Sequence, residues 1–402
     1  MSSLSTSPAS TNAGNGNGKA PEWDFAITPQ TLQSHLAPWA VPYIVGKGRE
    51  YKEDERVGDN RNRFEIDIGR LLHAPECHGN KTQVYATGTE AGTTTNRDRH
   101  SKRVGRLSAD IASELGCNAH CADIDGQIHD VGHIPFGHEG GDVLDEWLLS
   151  QRKEGGFQFD HHEQGLRILN QVAYRNRLHP GLNLSVEHRD ALSSATTGMS
   201  MEAQITGFTD DIDYSAYDSQ EGIRLGVVKL EQIRACSTLF AEADEWASKK
   251  GRRVSGTIID ILKRDLVEAT QKNIHDLRIK TIGDVYDVSE PIVVLSEERE
   301  ADLKQLKSFL MPAMWSPPSK REIFIPAARE LIHGICDYLL DNQDGTTAYC
   351  EAMARQAGDA QPKTRAVVDR LSIMTDAEAI RFGEMIGIST DVLDRINGVF
   401  NY

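Results

Sequence analysis

The chain has 402 residues, of which 39% are hydrophobic and 26% charged, and it carries a formal net charge of -16. That length fits one large domain or two ordinary ones, with enough apolar side chains for a buried core. The acidic balance argues against a broad nucleic-acid footprint, which needs clustered Lys and Arg, but it admits a small polyanion met by a metal and a few local cations.

Residues 1 to about 22 are mostly Ser, Thr, Ala, Asn and Gly. They lack the apolar surface to offset their ordering entropy and read as a disordered tail. The rest reads as all-α, because helical periodicity recurs and strand-like alternation is scarce. Asp98 to Leu115 carries Val104, Leu107, Ile111 and Leu115 on one stripe, and Gly116 stops it. His100 lies four residues before Val104, on the same inward face. Asp123 to Val131 reads as a short helix with Ile124 and Ile128 inward, ended by Gly132 and Pro135. Asp160 has the character of an N-cap, with Glu163 three residues on, for a helix carrying Leu166, Leu169 and Val172. His162 begins that stripe. Another helix runs through Met201, Ile205, Phe208 and Ile212. Ile279 to Leu295 has the only credible short strand signals. From about Glu297 the chain is helical again, including Ala327 to Leu340 and Thr364 to Ile386, with Pro312 to Pro318 as a loop.

No apolar run reaches membrane-spanning length, so no membrane association is expected. The six cysteines (Cys77, Cys117, Cys121, Cys236, Cys336, Cys350) form no Cys-x-x-Cys, which predicts reduced thiols and a cytoplasmic location. A zinc site at Cys117, His120 and Cys121 has no second ligand pair nearby.

The most telling segment is the run from His129 to His138, His-Asp-Val-Gly-His-Ile-Pro-Phe-Gly-His. Adjacent His and Asp are poor core material, because each must be hydrogen-bonded if buried. Both are ligands for Mn, Fe, Zn or, less readily, Mg. Further carboxylates come from Asp210 to Asp218, where Asp210, Tyr214 and Asp218 share a helical face and Asp211 competes with Asp210. One metal therefore has four candidate ligands: His100, His129, Asp130 and an aspartate of the later helix.

The order Arg97-x-x-His100, His129-Asp130 and Asp210 resembles the HD-superfamily metallohydrolases. It narrows to the dGTPase-like deoxynucleoside triphosphate triphosphohydrolases through five segments in the family's order. These are Lys81 to Val84, His129 to His138, His162 to Leu169, Leu182 to Asp190, and Asp210 to Tyr214. The resemblance implies an all-α HD fold with a catalytic domain over 23–296 and a helical region over 297–402 packed on it. It implies a divalent metal (Mn2+ or Mg2+, with Fe2+ an option) on His100, His129, Asp130 and Asp210, and hydrolysis of a dNTP to deoxynucleoside and triphosphate. His138 and His162 are then candidates for proton transfer to the leaving oxygen, with His133 lining the phosphate site. Arg97 suits phosphate oxygens. Lys81 serves the site or a subunit contact, Tyr214 packs on the sugar, and Asp218 accepts from the 3'-hydroxyl. A homo-oligomer is expected, and dGTP is favoured by resemblance alone.

Two departures stand out. The acid common three residues after His138 is replaced by Gly141, and two tyrosines of a C-terminal pattern are missing around Asp369-Arg370 and Met374-Thr375-Asp376. Two rival readings are another HD phosphohydrolase, acting on a monophosphate, a cyclic nucleotide or an alarmone, and a non-catalytic nucleotide-binding regulator.

Overall fold

The computed structural model describes residues 28–400 except 45, 54–60, 78–96, 152–156, 174–175, 177, 194, 196, 318–319 and 343–362. The expected tail, Lys81 and Cys350 lie outside the described residues. The longer helices are α1 (Arg63–Leu72), α2 (Arg97–Glu114), α3 (Ala119–Ile128), α4 (Gly137–Ser150), α5 (His161–Arg167) and α6 (Met201–Arg224). They continue as α7 (Thr238–Lys250), α8 (Val254–Asp276), α9 (Glu297–Leu310), α10 (Ile325–Asp341), α11 (Lys363–Ser372), α12 (Asp376–Ile386) and α13 (Thr390–Phe400). The fold is all-α. Among the described residues Arg49 and Ser185 form an isolated antiparallel bridge outside any strand.

Three helices frame the site. On α2, Arg97, His100, Val104, Leu107 and Ile111 are all buried, at the three- and four-residue spacing that defines one helical face. Gly116 follows the last turn, and Cys117 N–H returns to Ala112 O at 2.8 Å, closing the helix end. Asn118 then caps α3, its side chain accepting from Cys121 N–H. The two helices cross at Gly105 and Gly126. A Cβ on Gly105 would lie 2.5 Å from Asp123 O, and one on Gly126 would lie 2.5 Å from the Gly105 backbone. Helix α6 closes the frame, capped by Ser200 and packed on α2 and α3.

Burial supplies most of the stability, at about 1.5–3 kcal/mol per fully buried Leu or Ile. One core joins Ile111, Ala122, Ile205 and Ile212 to α8 and α9. A second gathers Phe64, Ile124, Ile128 and Ile168. A third joins Ile134, Phe136, Val143 and Leu144 to α10 through α13. The C-terminal helices thus share a core with the segment that leads from His133 into α4.

Two local expectations need correction. Ile279 to Leu295 holds no strand. Thr281 and Asp284 form a capping box that starts a short helix, Ile282–Asp287. Ile292, Val293 and Leu295 then enter the core as an irregular segment. The β-branched Ile292 and Val293 reflect burial, not sheet pairing. Pro312 does not open a loop either: α9 runs on into a wider helical turn, Met311–Trp315, closed by Ser316 N–H to Met311 O at 2.8 Å, and the chain leaves the helix only at Ser316.

Candidate metal centre

The end of α3 places His129 as its C-cap, with Asp130 in the turn beyond. From α2, His100 Nε2 comes within 2.9 Å of Asp210 Oδ1 on α6. His129 Nε2 lies 3.5 Å from Asp130 Oδ2 and 3.6 Å from Asp210 Oδ1. His100 Nε2 is 4.0 Å from Asp130 Oδ2. His100, His129 and Asp130 present donor atoms all within 4.8 Å of one another. Asp211 turns away instead: both its oxygens accept from Lys307 Nζ at 2.8 Å, and Oδ1 also accepts from the Tyr214 hydroxyl at 2.7 Å.

The outer contacts fix the ring nitrogens. His129 Nδ1 lies 2.7 Å from Gly126 O, and His100 Nδ1 lies 2.8 Å from Asp213 Oδ2. These acceptors assign the protons to Nδ1 and leave both Nε2 lone pairs facing carboxylates. Arg103 clamps Asp213 in turn, from Nε at 2.9 Å and Nη2 at 2.7 Å, and lies 3.9 Å over the Tyr217 ring.

This donor set fits a cation. His129 Nε2 is buried and has no hydrogen-bond partner. A buried lone pair aimed at two carboxylates is unfavourable unless a positive charge lies between them. In the metal-free arrangement a proton takes that role at His100. Burial pulls its pKa down, but Asp210 and Asp213 outweigh this and hold it up at about 10. Burial also pushes the Asp130 carboxyl up, yet the Arg97 guanidinium and then His129 keep it well below the usual carboxylate range.

Beside this quartet lies a group that the sequence indicates only in part. The His133 ring stacks on His161 at 4.1 Å between centroids and meets His138 edge-on at 4.5 Å. His133 Nε2 lies 3.2 Å from Asp130 Oδ1, so the trio adjoins the quartet. All three imidazoles have lowered pKa values. Burial leads in each case. Arg97 adds to it at His133 and His138, and His162 adds at His161, which falls to about 4. The trio is therefore neutral at neutral pH.

His161, rather than His162, completes this trio. His162 sits beside it at 3.9 Å, with Nδ1 3.5 Å from its own N-cap, Asp160. Gln164, Gly165, Ile168, Leu169 and Val172 are buried, whereas Leu166 is only partly buried, so the expected stripe faces the core at Leu169 and Val172 but not in its first turn, where His162 lies. Asp160 does cap the helix, accepting from the N–H groups of His162 and Glu163. The close seat of His161 depends on Gly132, where a Cβ would lie 1.8 Å from His161 O.

Of the remaining predicted residues, Arg97 is buried and reaches Asp130 Oδ2 at 2.6 Å. Tyr214 packs edge-on against Trp315 at 5.0 Å. Asp218 is buried and accepts from Trp315 Nε1 at 2.5 Å, so a ligand reaches it only if that indole moves. Trp315 and Lys307 come from the α9 region, far along the chain, and no local signal marked them. Among the described residues, Cys117, His120 and Cys121 form no metal-capable group. Cys117 Sγ points to Leu115 O, and His120 Nδ1 meets the Tyr43 hydroxyl. No described helix is long and apolar enough to cross a membrane.

Residues 97–227, which hold the quartet and the histidine trio, match the HD domain family model. The chain carries an HD domain. Residues 293–384 of this HD protein match the phosphohydrolase-associated domain. It is 28% identical over 376 residues to a deoxyguanosinetriphosphate triphosphohydrolase-like protein of Geobacter sulfurreducens, covering 87% of this chain and 94% of the relative. A protein of that description from Thiobacillus denitrificans is 28% identical over 391 residues, with 90% and 100% covered. One from Ruegeria is 25% identical over 389 residues, with 88% and 99% covered.

Proposed function

We propose that this protein hydrolyses a deoxynucleoside triphosphate to deoxynucleoside and triphosphate, using a divalent cation, Mn2+ or Mg2+ with Fe2+ an option, held by His100, His129, Asp130 and Asp210. The observation that carries the reading is the buried Nε2 of His129, which makes no hydrogen bond and faces two carboxylates at 3.5 and 3.6 Å. The names of the relatives supply the substrate class. Bound there, the cation supplies Lewis acidity to the α-phosphate and to the attacking water.

The chain's own residues do the rest. Arg97 exchanges part of its Asp130 contact for phosphate oxygens, which its planar fork suits. Hydrolysis at the α-phosphorus breaks the bond to the 5'-oxygen, which must gain a proton. His138, the most exposed of the trio and neutral at neutral pH, takes the proton that the attacking water releases and passes it to that oxygen, with His133 and His161 fixing its surroundings. Tyr214 takes the sugar, and Asp218 takes the 3'-hydroxyl once Trp315 swings clear. Lys81 and His162 are assigned no step.

The deciding experiment incubates the purified protein with Mn2+ or Mg2+ and each dNTP in turn, and resolves the products. Triphosphate and nucleoside in equal amounts support the proposal. Orthophosphate alone refutes it and points to another phosphohydrolase. Binding without turnover points to a regulator.

A further inference from the structure

Two buried carboxylates of the C-terminal helices hold the two segments that carry the histidine trio. Asp376 is fully buried at the start of α12. Its Oδ1 accepts from Phe136 N–H at 2.9 Å. Phe136 has a positive φ of 68°, a conformation uncommon for a residue with a side chain, and it directly precedes Gly137 and His138. That bond helps to anchor the turn that aims His138. Asp369, fully buried on α11, holds α5. Its Oδ1 accepts from Arg167 Nε at 2.7 Å and Gln164 Nε2 at 3.0 Å, and its Oδ2 accepts from Arg167 Nη2 at 2.8 Å. Gln164 lies one helical turn from His161. Arg365, also on α11, lies 3.3 Å over the Phe157 ring just ahead of α5.

Both anchors belong to the Asp369-Arg370 and Met374-Thr375-Asp376 stretches, to which the proposed mechanism gives no task. Neither carboxylate is among the atoms of the trio or the quartet, so neither is a catalytic residue. We propose that Asp369 and Asp376 are positioning residues, through which the C-terminal helices set the separation and aim of His138 and His161. This rests on the trio's role in the proposed hydrolysis. Misplacing a reacting group by about 1 Å costs about 100-fold in rate. Loss of either anchor is therefore expected in kcat.

The test uses the full chain. Asp376→Ala removes the acceptor for Phe136 N–H, and Asp376→Asn keeps an oxygen there. The alanine variant is expected to lose roughly 10- to 100-fold in kcat, with KM and bound metal as in the wild type. The asparagine variant is expected to recover most of that rate. In the metal-free protein, the imidazole NMR signals of His138 and His161 are expected to shift in the alanine variant only. Wild-type kcat and unshifted imidazoles in Asp376→Ala overturn the proposal. Equal losses in both variants with unshifted imidazoles overturn it too. If the alanine variant does not fold, Asp376→Glu replaces it: reduced kcat at a wild-type unfolding midpoint supports the proposal, and wild-type kcat overturns it. Should the wild type turn over no dNTP, the substrate assignment falls, while the imidazole signals still decide the positioning.

Discussion

Glu202 offers a test that needs no substrate. It lies in the first turn of α6, fully buried, and its Oε1 accepts from Val41 N–H at 3.0 Å and from Asn118 N–H at 2.8 Å. Asn118 caps α3, so this carboxylate ties the helix bearing Asp210 to the helix that ends at His129-Asp130. Burial pushes its pKa from 4.5 up to about 7, against the pull of those hydrogen bonds. As pH rises from 4.5 to about 7, the unfolded chain has released a proton that the folded protein still holds. Stability therefore falls through that window and stays lower above it. At about 1.4 kcal/mol per pH unit, the displacement amounts to about 3 kcal/mol. Glu202→Gln keeps an oxygen for both N–H donors and removes the ionisation. Urea unfolding of both proteins at pH 5 and pH 8 isolates the group, since other titrations are common to both. The stability difference is expected to move in favour of the glutamine variant by about 2–3 kcal/mol between the two pH values. Parallel pH dependences in the two proteins would refute the reasoning.

At the metal centre, His129→Ala and Asp130→Ala are each expected to abolish metal retention and turnover with helical content intact, checked by metal analysis and circular dichroism. Asp213→Asn is expected to weaken metal binding by about 10- to 100-fold, because Asp213 orients His100 without touching the ion; competition against a chelator measures this. His138→Ala and His161→Ala are expected to keep the metal and lose most of kcat, whereas His162→Ala keeps most of it. An unchanged kcat in His161→Ala with a loss in His162→Ala would reverse the assignment between these neighbours.

Periodic features were legible in the sequence and long-range choices were not. The stripe of α2 and the inward aim of His100 follow from spacing alone, as does the capping of α5 by Asp160. Asp210 and Asp211 are adjacent on one helix, and spacing admitted either. What separates them is Lys307, which takes Asp211 from nearly a hundred residues away. The choice between His161 and His162 depended on which side of α5 is buried. Of the expected stripe Leu169 and Val172 are buried and Leu166 is only partly so, and the close approach of His161 O to Gly132 orients the first turn. The segment 279–295 misled because buried irregular chain and buried strand draw on one set of β-branched side chains.

The crossing of α2 and α3 at Gly105 and Gly126 has a practical corollary. There the gap between His100 and the 129–130 pair is held by two bare backbones in contact. The calibre of the ion's cage is thus referred to residues that ligate nothing. A single methyl at either place acts as a wedge, and loss of the ion in such a variant would be no sign that a ligand had been removed. Any map of this protein drawn from inactive variants has to separate wedges of this kind from the side chains that bind.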